Sequence, residues 1–376
     1  MFLEAGGGHI VELSEKPIDD GFRIPGEFEN QSRCFIIWPQ RPDNWREGGK
    51  PAQKSFACLA EKLANIEKVT MLVNEDQYEN ARNKLSSNIR VVEMSSNDAW
   101  MKDFGPFYVI NDKGKVRSVI FQFNAWGGLL DGLYFPWDKD NQVALKVSDL
   151  ENLDYYRVND FVLEGCAVHV DGQGTLIATE DVVLSEGRNP GILKASAEKF
   201  FHDYLGIKKT IWLPHGYFMD ETNGDIDNMI NYVAPGEIVL TWTDDKTDPQ
   251  YPISLNAFNI LSNSVDARGR KLIIHKLQMP KPLTLSREEA NGVDPINGRL
   301  PRIPGQRLTA SYVSYITTNE ALIVPEFDDP QDEIAKKQLA ILYPGRKIIG
   351  LAAREFLIGG GNIHTIVGEV PGKLVE

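Results

Sequence analysis

The chain repeats a pattern of short apolar strand, amphipathic helix and second strand, and this repetition constrains the fold more than any other feature. In the clearest unit, Pro51 suits the first turn of a helix, and Phe56, Leu59 and Leu63 follow at helical spacing. The apolar run at 69–73 then predicts a strand. Five such units are visible, with further strands predicted at residues 89–94, 116–123, 155–162, 175–178, 210–213, 238–243, 271–277, 321–327 and 347–351.

Two architectures accommodate these units. Alternating strands and helices often form a doubly wound parallel sheet, but no GxGxxG turn of the dinucleotide-binding type joins a first strand to a first helix. Roughly even repeats also suit a radial arrangement around a central channel. Unusual polar motifs follow the returning strands of successive units, at residues 98–103, 164–166, 220–227 and 359–365. Because a ring would bring all four motifs to one axis, we favour an α/β propeller with the functional site in its central channel.

Length and composition bound the class of protein. The 376 residues are 42% apolar, so we predict one domain over residues 1–376, with 1–20 as an N-terminal extension. The net charge of −13 argues against nucleic acid or an anionic membrane as a partner. The three cysteines are widely spaced, and the chain does not open with a basic segment and an apolar run. We therefore expect a cytoplasmic protein.

An ordered series of motifs resembles the agmatine deiminases. The match runs from about residue 21 to the C-terminal tail, and several motifs are long enough to be specific. The motifs are GFRIPGEF at 21–28, WP at 38–39, DNWR at 43–46, NDAW at 97–100, DFGP at 103–106, FNAWGG at 123–128, VHVDG at 168–172, RNP at 188–190, ETNG at 221–224 and GGGNIH at 359–364.

The resemblance implies a fold, a reaction and a set of ligands. Agmatine deiminases have the five-bladed α/β propeller of the penteins and hydrolyse agmatine to N-carbamoylputrescine and ammonia without a cofactor. By resemblance, Asp103, Glu164 and Asp227 bind the guanidinium, since a carboxylate accepts the paired N–H donors of that planar cation. Trp100 and Trp126 are expected to enclose the aliphatic stem or face the cation.

The departures from the family pattern fall at the reaction centre. After GGGNIH the family has its nucleophilic cysteine, whereas this chain has Thr365. Two residues before Asp227 the family has a histidine that moves protons, whereas this chain has Asp225. A threonine hydroxyl is not ionised near neutral pH and is less nucleophilic than a thiolate. We therefore expect that binding is retained and that the deiminase chemistry is impaired.

Two alternative roles stay open for neighbouring residues. If residues 164–166 are extended, Cys166 lies on the same side as Glu164 and could act as a displaced nucleophile, although a small buried cysteine is the simpler interpretation. The four acidic side chains of the site could instead bind a divalent cation. The guanidinium clamp explains them without metal, so we predict neither metal nor cofactor. His169 and His364 are expected to belong to structural loops rather than to be ligands.

The predicted function is a pocket for a guanidino or polyamine cation, with agmatine as the model ligand. The first alternative is an active amidine hydrolase that uses Thr365 or Cys166 by an altered mechanism. The second is a non-catalytic partner of an active paralogue, in a homodimer or a hetero-oligomer, because penteins of this kind often form dimers.

Overall fold

The computed structural model describes residues 9–297 and 299–372, so the first eight residues of the predicted N-terminal extension lie outside the described residues. Within these ranges the strands form five separate sheets. In chain order the strands are β1 Glu12–Leu13, β2 Gln31–Ile37, β3 Lys68–Val73, β4 Arg90–Glu93, β5 Phe107–Ile110, β6 Val116–Gln122, β7 Tyr155–Val162, β8 Val168–Val170, β9 Thr175–Thr179, β10 Lys209–Leu213, β11 Ile230–Ala234, β12 Glu237–Trp242, β13 Ile273–Gln278, β14 Ile316–Thr317, β15 Ala321–Glu326, β16 Lys347–Ala352 and β17 Val367–Pro371.

The helices vary from single turns to fifteen residues. They are α1 Lys50–Ala64, α2 Tyr78–Lys84, α3 Met101–Phe104, α4 Gly128–Asp131, α5 Val143–Leu150, α6 Glu180–Val183, α7 Lys194–Leu205, α8 Gln250–Ser262, α9 Arg287–Asn291, α10 Gln331–Leu342 and α11 Arg354–Gly359. Short 3-10 turns lie at Arg46–Gly49, Glu75–Gln77, Asp140–Gln142, Gly165–Ala167, Ile226–Asn228 and Ile363–Ile366. None of these helices is long and apolar enough to cross a membrane.

Each sheet contains a parallel strand pair whose two strands are connected through a helix. The five connections are β2–α1–β3, β6–α5–β7, β9–α7–β10, β12–α8–β13 and β15–α10–β16. Four of the predicted strand–helix–strand units are among these connections, and the first predicted unit, from the strand at 69–73 to the strand at 89–94, is β3–α2–β4. The described strands do not form one doubly wound sheet. The radial arrangement of the units around a channel stays a prediction.

Each sheet also carries an antiparallel strand that the periodicity did not predict. These strands are β17, β5, β8, β11 and β14. Most are short, and β8 is buried at all three positions, so neither length nor alternation distinguishes it from a loop. Strand β2 was also missed, because six of its seven residues are buried and it shows no period of two.

The helix predicted after Pro51 shows how the sequence sets one unit. Pro51 lies in the first turn of α1, where its missing N–H has no helical partner to lose. Phe56, Leu59 and Leu63 lie on one face of α1 and are fully buried. Burial of each such side chain stabilises the fold by roughly 1.5–3 kcal/mol. The apolar face therefore fixes α1 against the core.

The two ends of the chain meet in the same sheet. Strand β17 pairs antiparallel with β2, and β2 pairs parallel with β3. The GGGNIH motif lies directly before β17, so this pairing positions it beside the first unit. The 98–103 motif follows β4, the 164–166 motif follows β7, and the 220–227 motif precedes β11. The polar motifs are thus held at the ends of strands.

Candidate functional site

Three of the four polar motifs meet at one small cavity. Its wall contains Trp100 and Asp103 from the first motif, Asp225 and Asp227 from the third, and Thr365 from the last. The cavity volume is about 20 Å³. A space of about 10–15 Å³ by this measure holds one water molecule. We call this space the acidic cavity.

A wider cavity adjoins the acidic cavity and gives it a route towards solvent. This outer cavity has a volume of about 260 Å³. The residues that line both cavities are Leu133, Asp220, Glu221 and Arg299. Glu221 is paired with Arg302, which also donates to the Gly359 carbonyl oxygen at 3.0 Å. An incoming ligand must therefore displace part of this arginine-bearing segment.

The glycine motif allows the backbone to approach two tryptophan rings. A Cβ atom on Gly361 would overlap the ring of Trp100, and one on Gly359 would overlap the ring of Trp45. The two indoles stack with their centroids 5.0 Å apart. Trp126 meets Trp100 edge-on at 6.3 Å. The aromatic wall of the acidic cavity is therefore held by packing on the glycine motif.

Asp103 receives a hydrogen bond on each carboxylate oxygen. The indole N–H of Trp126 donates to Oδ2 at 3.0 Å, and the backbone N–H of Cys166 donates to Oδ1 at 2.9 Å. Burial raises the pKa of Asp103 to about 7, and the nearby Glu164 and Asp227 carboxylates add to that shift. The carboxyl is consequently partly protonated at neutral pH, and a bound cation would favour its ionised form.

Asp225 is a buried acid in the position where the resemblance places a histidine. The residue is 2% exposed, and its Oδ1 atom has no hydrogen-bond partner within the described part of the chain. Burial, together with the charges of Glu164 and Asp103, raises the pKa of Asp225 well above its usual range. This shift favours the neutral carboxylic acid, which can donate a proton but is a poor base.

Thr365 lies on the turn Ile363–Ile366 and contacts one of the predicted guanidinium ligands. Its Oγ1 hydroxyl donates to Oδ2 of Asp227 at 3.3 Å. The turn is fixed by Asn362, whose side chain accepts from the Ile363 N–H at 2.8 Å. A carboxylate is a weak base for an alcohol, so this contact orients the hydroxyl without ionising it.

Glu164 is engaged by an arginine of the chain itself. Arg188 contacts Glu164 Oε1 at 2.6 Å, and both side chains are 1% exposed. Arg188 also donates to Asn223 Oδ1 at 2.9 Å and to the Thr222 carbonyl oxygen at 2.5 Å. Glu164 is not among the residues that line the acidic cavity. Its role as a guanidinium ligand for a substrate stays a prediction, since an internal guanidinium occupies the carboxylate.

The extended conformation considered for residues 164–166 is wrong. Residues Gly165–Ala167 form a 3-10 turn, because the backbone N–H of Cys166 turns inward to bond Asp103. The Cys166 thiol lies 3.8 Å from Nδ1 of His364 and does not line the acidic cavity. Burial and the nearby Asp103 and Asp227 charges raise the pKa of Cys166 well above its usual range. The thiol is therefore neutral, which favours the buried-cysteine interpretation.

His364 does not line the acidic cavity, but it contacts Asp227, which does, a contact that the sequence analysis did not predict. It was expected in a structural loop, but it lies between two carboxylates and is fully buried. Its Nδ1 is 3.1 Å from Asp227 Oδ2, and its Nε2 is 2.9 Å from both oxygens of Glu27. Burial alone would lower the pKa of His364, but Glu27 and Asp227 raise it to about 10. The available signal was a histidine directly before the nucleophile position.

The four acidic side chains considered as metal ligands do not form a metal site among the described residues. Two other groupings bring three candidate ligand atoms within 4.8 Å of one another. They are Glu27–His169–His364 and Cys166–Asp227–His364. Lys102 already neutralises Glu27, at 3.0 Å, and the Cys166 thiol holds its proton. We assign no metal to either grouping.

The chain is similar over almost its whole length to proteins of one family. A model of the Porphyromonas-type peptidyl-arginine deiminases matches residues 23–371. A Listeria monocytogenes protein provisionally named agmatine deiminase 2 is 56% identical over 362 residues, 96% of this chain and 98% of that protein. Agmatine deiminase of Pseudomonas aeruginosa is 50% identical over 356 residues, 94% and 97% of the two chains. The solved structure of Enterococcus faecalis agmatine deiminase has a TM-score of 0.94 at 43% identity, covering 97% of this chain and 100% of that one.

Proposed function

Since this chain belongs to the agmatine deiminase family, within the Porphyromonas-type peptidyl-arginine deiminases, we propose that it binds a guanidino or polyamine cation such as agmatine while its deiminase chemistry is impaired. The observation that carries the proposal is the contact between Thr365 and Asp227 in an otherwise acidic cavity. A ligand carboxylate is present, and the position beside it holds a hydroxyl in place of a strong nucleophile.

The charge of the acidic cavity favours a cation. Six acidic side chains and one basic side chain line it. The acidic residues are Asp98, Asp103, Asp220, Glu221, Asp225 and Asp227, and the basic residue is Arg299. A guanidinium or ammonium ion would relieve the repulsion among buried carboxylates and would donate hydrogen bonds to their oxygens. The tryptophan wall suits the aliphatic stem of such a ligand.

The chemistry is impaired for two reasons that act together. Thr365 supplies a neutral hydroxyl where a thiolate would attack the guanidinium carbon. Asp225 is a buried carboxyl with a raised pKa, which favours its protonated form, where a histidine would move protons to the leaving ammonia and from the attacking water. Removal of a catalytic nucleophile costs several powers of ten in turnover in other hydrolases. The two replacements therefore predict binding with negligible hydrolysis.

The test combines calorimetry with an ammonia-release assay on agmatine. We expect one agmatine bound per chain, no ammonia above background, and loss of binding in Asp103→Asn. Asp245→Asn is the matched control, because Asp245 is a fully exposed aspartate outside the cavity. Turnover at rates typical of deiminases would contradict the impairment, and turnover abolished by Cys166→Ser would establish the altered hydrolase instead. Absence of agmatine and putrescine binding would contradict the pocket.

A further inference from the structure

A second cavity is lined by Glu27, whose carboxylate faces Nε2 of His364. This Glu27 cavity has a volume of about 110 Å³, and its polar wall includes Glu27, Glu29, Lys102 and Glu369. Glu27 belongs to this cavity and Asp227 belongs to the acidic cavity. His364 contacts both carboxylates, so its imidazole ring links a carboxylate of one cavity to a carboxylate of the other.

The geometry around His364 requires a proton on each ring nitrogen. A neutral imidazole has one N–H donor and one acceptor nitrogen, whereas a carboxylate offers only acceptors. Both nitrogens of His364 face carboxylate oxygens, at 2.9 Å towards Glu27 and 3.1 Å towards Asp227. A neutral ring would place two lone pairs against each other on one side unless a carboxyl took the proton. Burial would favour a protonated Glu27, but the charges of His364 and Lys102 lower the pKa of Glu27 well below its usual range. The ring is therefore an imidazolium shared by the two carboxylates.

We propose that Glu27 is a positioning residue of the cation site, which holds His364 as an imidazolium and through it fixes the Asp227 carboxylate that faces the ligand. The inference rests on the proposed function only for the identity of the ligand. Glu27 itself contacts neither the acidic cavity nor Thr365 among the described contacts. Glu27 acts on Asp227 through the imidazole ring of His364, which lies between them.

The surroundings of His364 explain why Glu27 determines its charge. The titratable groups that face or flank the ring are Glu27, Asp227, Cys166, Lys102, His169 and Glu369. Burial lowers the pKa of His169 to about 4, so this neighbour is neutral, and the thiol is neutral as well. Lys102 repels a charged His364, and its ammonium is shared between Glu27 and Glu369. Glu27 is the carboxylate that offsets this repulsion most directly.

The substitution Glu27→Gln removes the negative charge of this side chain and keeps its size and shape. A glutamine amide can donate to Nε2 of a neutral His364, and the Nδ1–H can still donate to Asp227. The hydrogen bonds are therefore retained while the imidazolium loses its main partner. We expect His364 to titrate between pH 6 and 9 in this variant and to stay charged over that range in the unsubstituted protein. The measurement is NMR of ¹³C-labelled histidine, with the resonance assigned by its loss in His364→Gln.

The matched control is Glu29→Gln. Glu29 lines the same cavity two residues away, but it pairs with Arg23 and does not contact His364. The His364 resonance should titrate in the control as it does in the unsubstituted protein. An unchanged His364 titration in Glu27→Gln, or titration of His364 between pH 6 and 9 without any substitution, would overturn the proposal. Zinc bound at one ion per purified chain would also overturn it, since a metal would then replace the proton.

The effect on the ligand is measured by agmatine calorimetry at pH 6 and pH 9. In Glu27→Gln the ring becomes neutral at the higher pH, which removes a positive charge beside the bound cation. The affinity ratio between pH 9 and pH 6 should therefore exceed that of the Glu29→Gln control by about tenfold. An equal ratio in both variants would overturn the link from Glu27 to the site. If agmatine binds none of the proteins, the proposed function fails, and the NMR titration still decides the role of Glu27.

Discussion

At the residue scale, the acidic cavity combines ordered carboxylates with two residues that bear on the proposed loss of chemistry. Asp103 and Asp227 line the acidic cavity and keep hydrogen-bonding partners that orient them. Thr365 and Asp225 line the same cavity, at the positions to which the resemblance assigns covalent attack and proton transfer. The hydroxyl of Thr365 donates to Asp227. The changes at these two positions therefore leave the ligand carboxylates in place.

Reversal of both changes should restore activity if the rest of the site is intact. We expect Thr365→Cys with Asp225→His to release ammonia from agmatine, because the pair restores a nucleophile and its proton-transfer group. Thr365→Cys alone should be slower by about a hundredfold or more, in line with the usual contribution of a positioned acid or base. The measurement is ammonia release, with mass spectrometry to detect an amidino adduct on the introduced thiol. A folded double variant that binds agmatine but forms neither adduct nor ammonia would contradict this expectation.

Asp225 should reduce stability in a pH-dependent way. Its pKa is raised in the folded state, so the folded protein holds a proton that the unfolded chain releases above about pH 4. Stability is consequently lost as the pH rises above that value. Asp225→Asn removes the titration and should increase the free energy of unfolding at pH 8 relative to pH 4, by about 1.4 kcal/mol for each pH unit by which folding raises the pKa of Asp225, up to pH 8. Urea unfolding at pH 8 and pH 4 tests this, and an equal gain at both values would contradict it.

At the scale of elements, the sequence predicted the helical connections and missed the antiparallel strands. An amphipathic helix such as α1 has a period that is visible over four turns, so the five connecting helices are apparent without a structure. A three-residue strand such as β8, buried on both faces, has no period to detect. The turn at Gly165–Ala167 was missed because it depends on the distant Asp103 carboxylate. The local sequence pattern therefore predicts helices and strands better than it predicts the contacts between them.

The glycine motif before β17 can approach the tryptophan rings only because its glycines have no Cβ atom. Gly361→Ala would place a methyl group against the ring of Trp100, which is packed against Trp45 and cannot move freely. We expect a loss of roughly 1–3 kcal/mol in the free energy of unfolding, as for an overpacked core. Agmatine affinity should fall as well, since Trp100 lines the acidic cavity. Chemical denaturation and calorimetry measure the two effects.

Gly345→Ala is the control for that substitution. A Cβ atom on Gly345 would meet no other atom within 4 Å, and the residue does not have a positive φ. Stability and agmatine affinity should both stay within error of the unsubstituted protein. Equal losses in the two variants would show that the Gly361 effect does not arise from the tryptophan wall.

At the scale of the whole molecule, the site is assembled from segments that are far apart in sequence. Glu27 and His364 are 337 positions apart, and Asp227 and His364 are 137 positions apart. Composition and periodicity carry no information on such pairs, whereas the resemblance located Asp103 and Asp227 because it fixes positions within a known set of motifs. The role of His364 was missed because both of its partners are brought to it by the fold. The pairing of β17 with β2 is what places His364 near the first unit.

The acidity of the assembled site makes ligand binding depend on pH. The pKa of Asp103 is raised to about 7 and that of Asp220 to about 6, in both cases chiefly by burial. A cation favours the ionised carboxylates, so binding releases protons below these values and the affinity falls as the pH decreases. From pH 8 to pH 6, agmatine affinity should decrease by roughly tenfold or more, since each group contributes up to a factor of ten per pH unit below its pKa.

Calorimetry in two buffers of different ionisation enthalpy measures the proton release directly. At pH 6 we expect about one proton released per agmatine, and at pH 8 close to none, because Asp103 is then already ionised. Asp220→Asn should retain most of the pH dependence, because the pKa of Asp220, at about 6, lies at the lower end of this range and below that of Asp103. Affinity that is equal at pH 6 and pH 8, with no proton release in either buffer, would show that the ligand does not approach Asp103. The cation would then have to bind in the outer cavity, between Glu221 and Arg299, rather than beside Thr365.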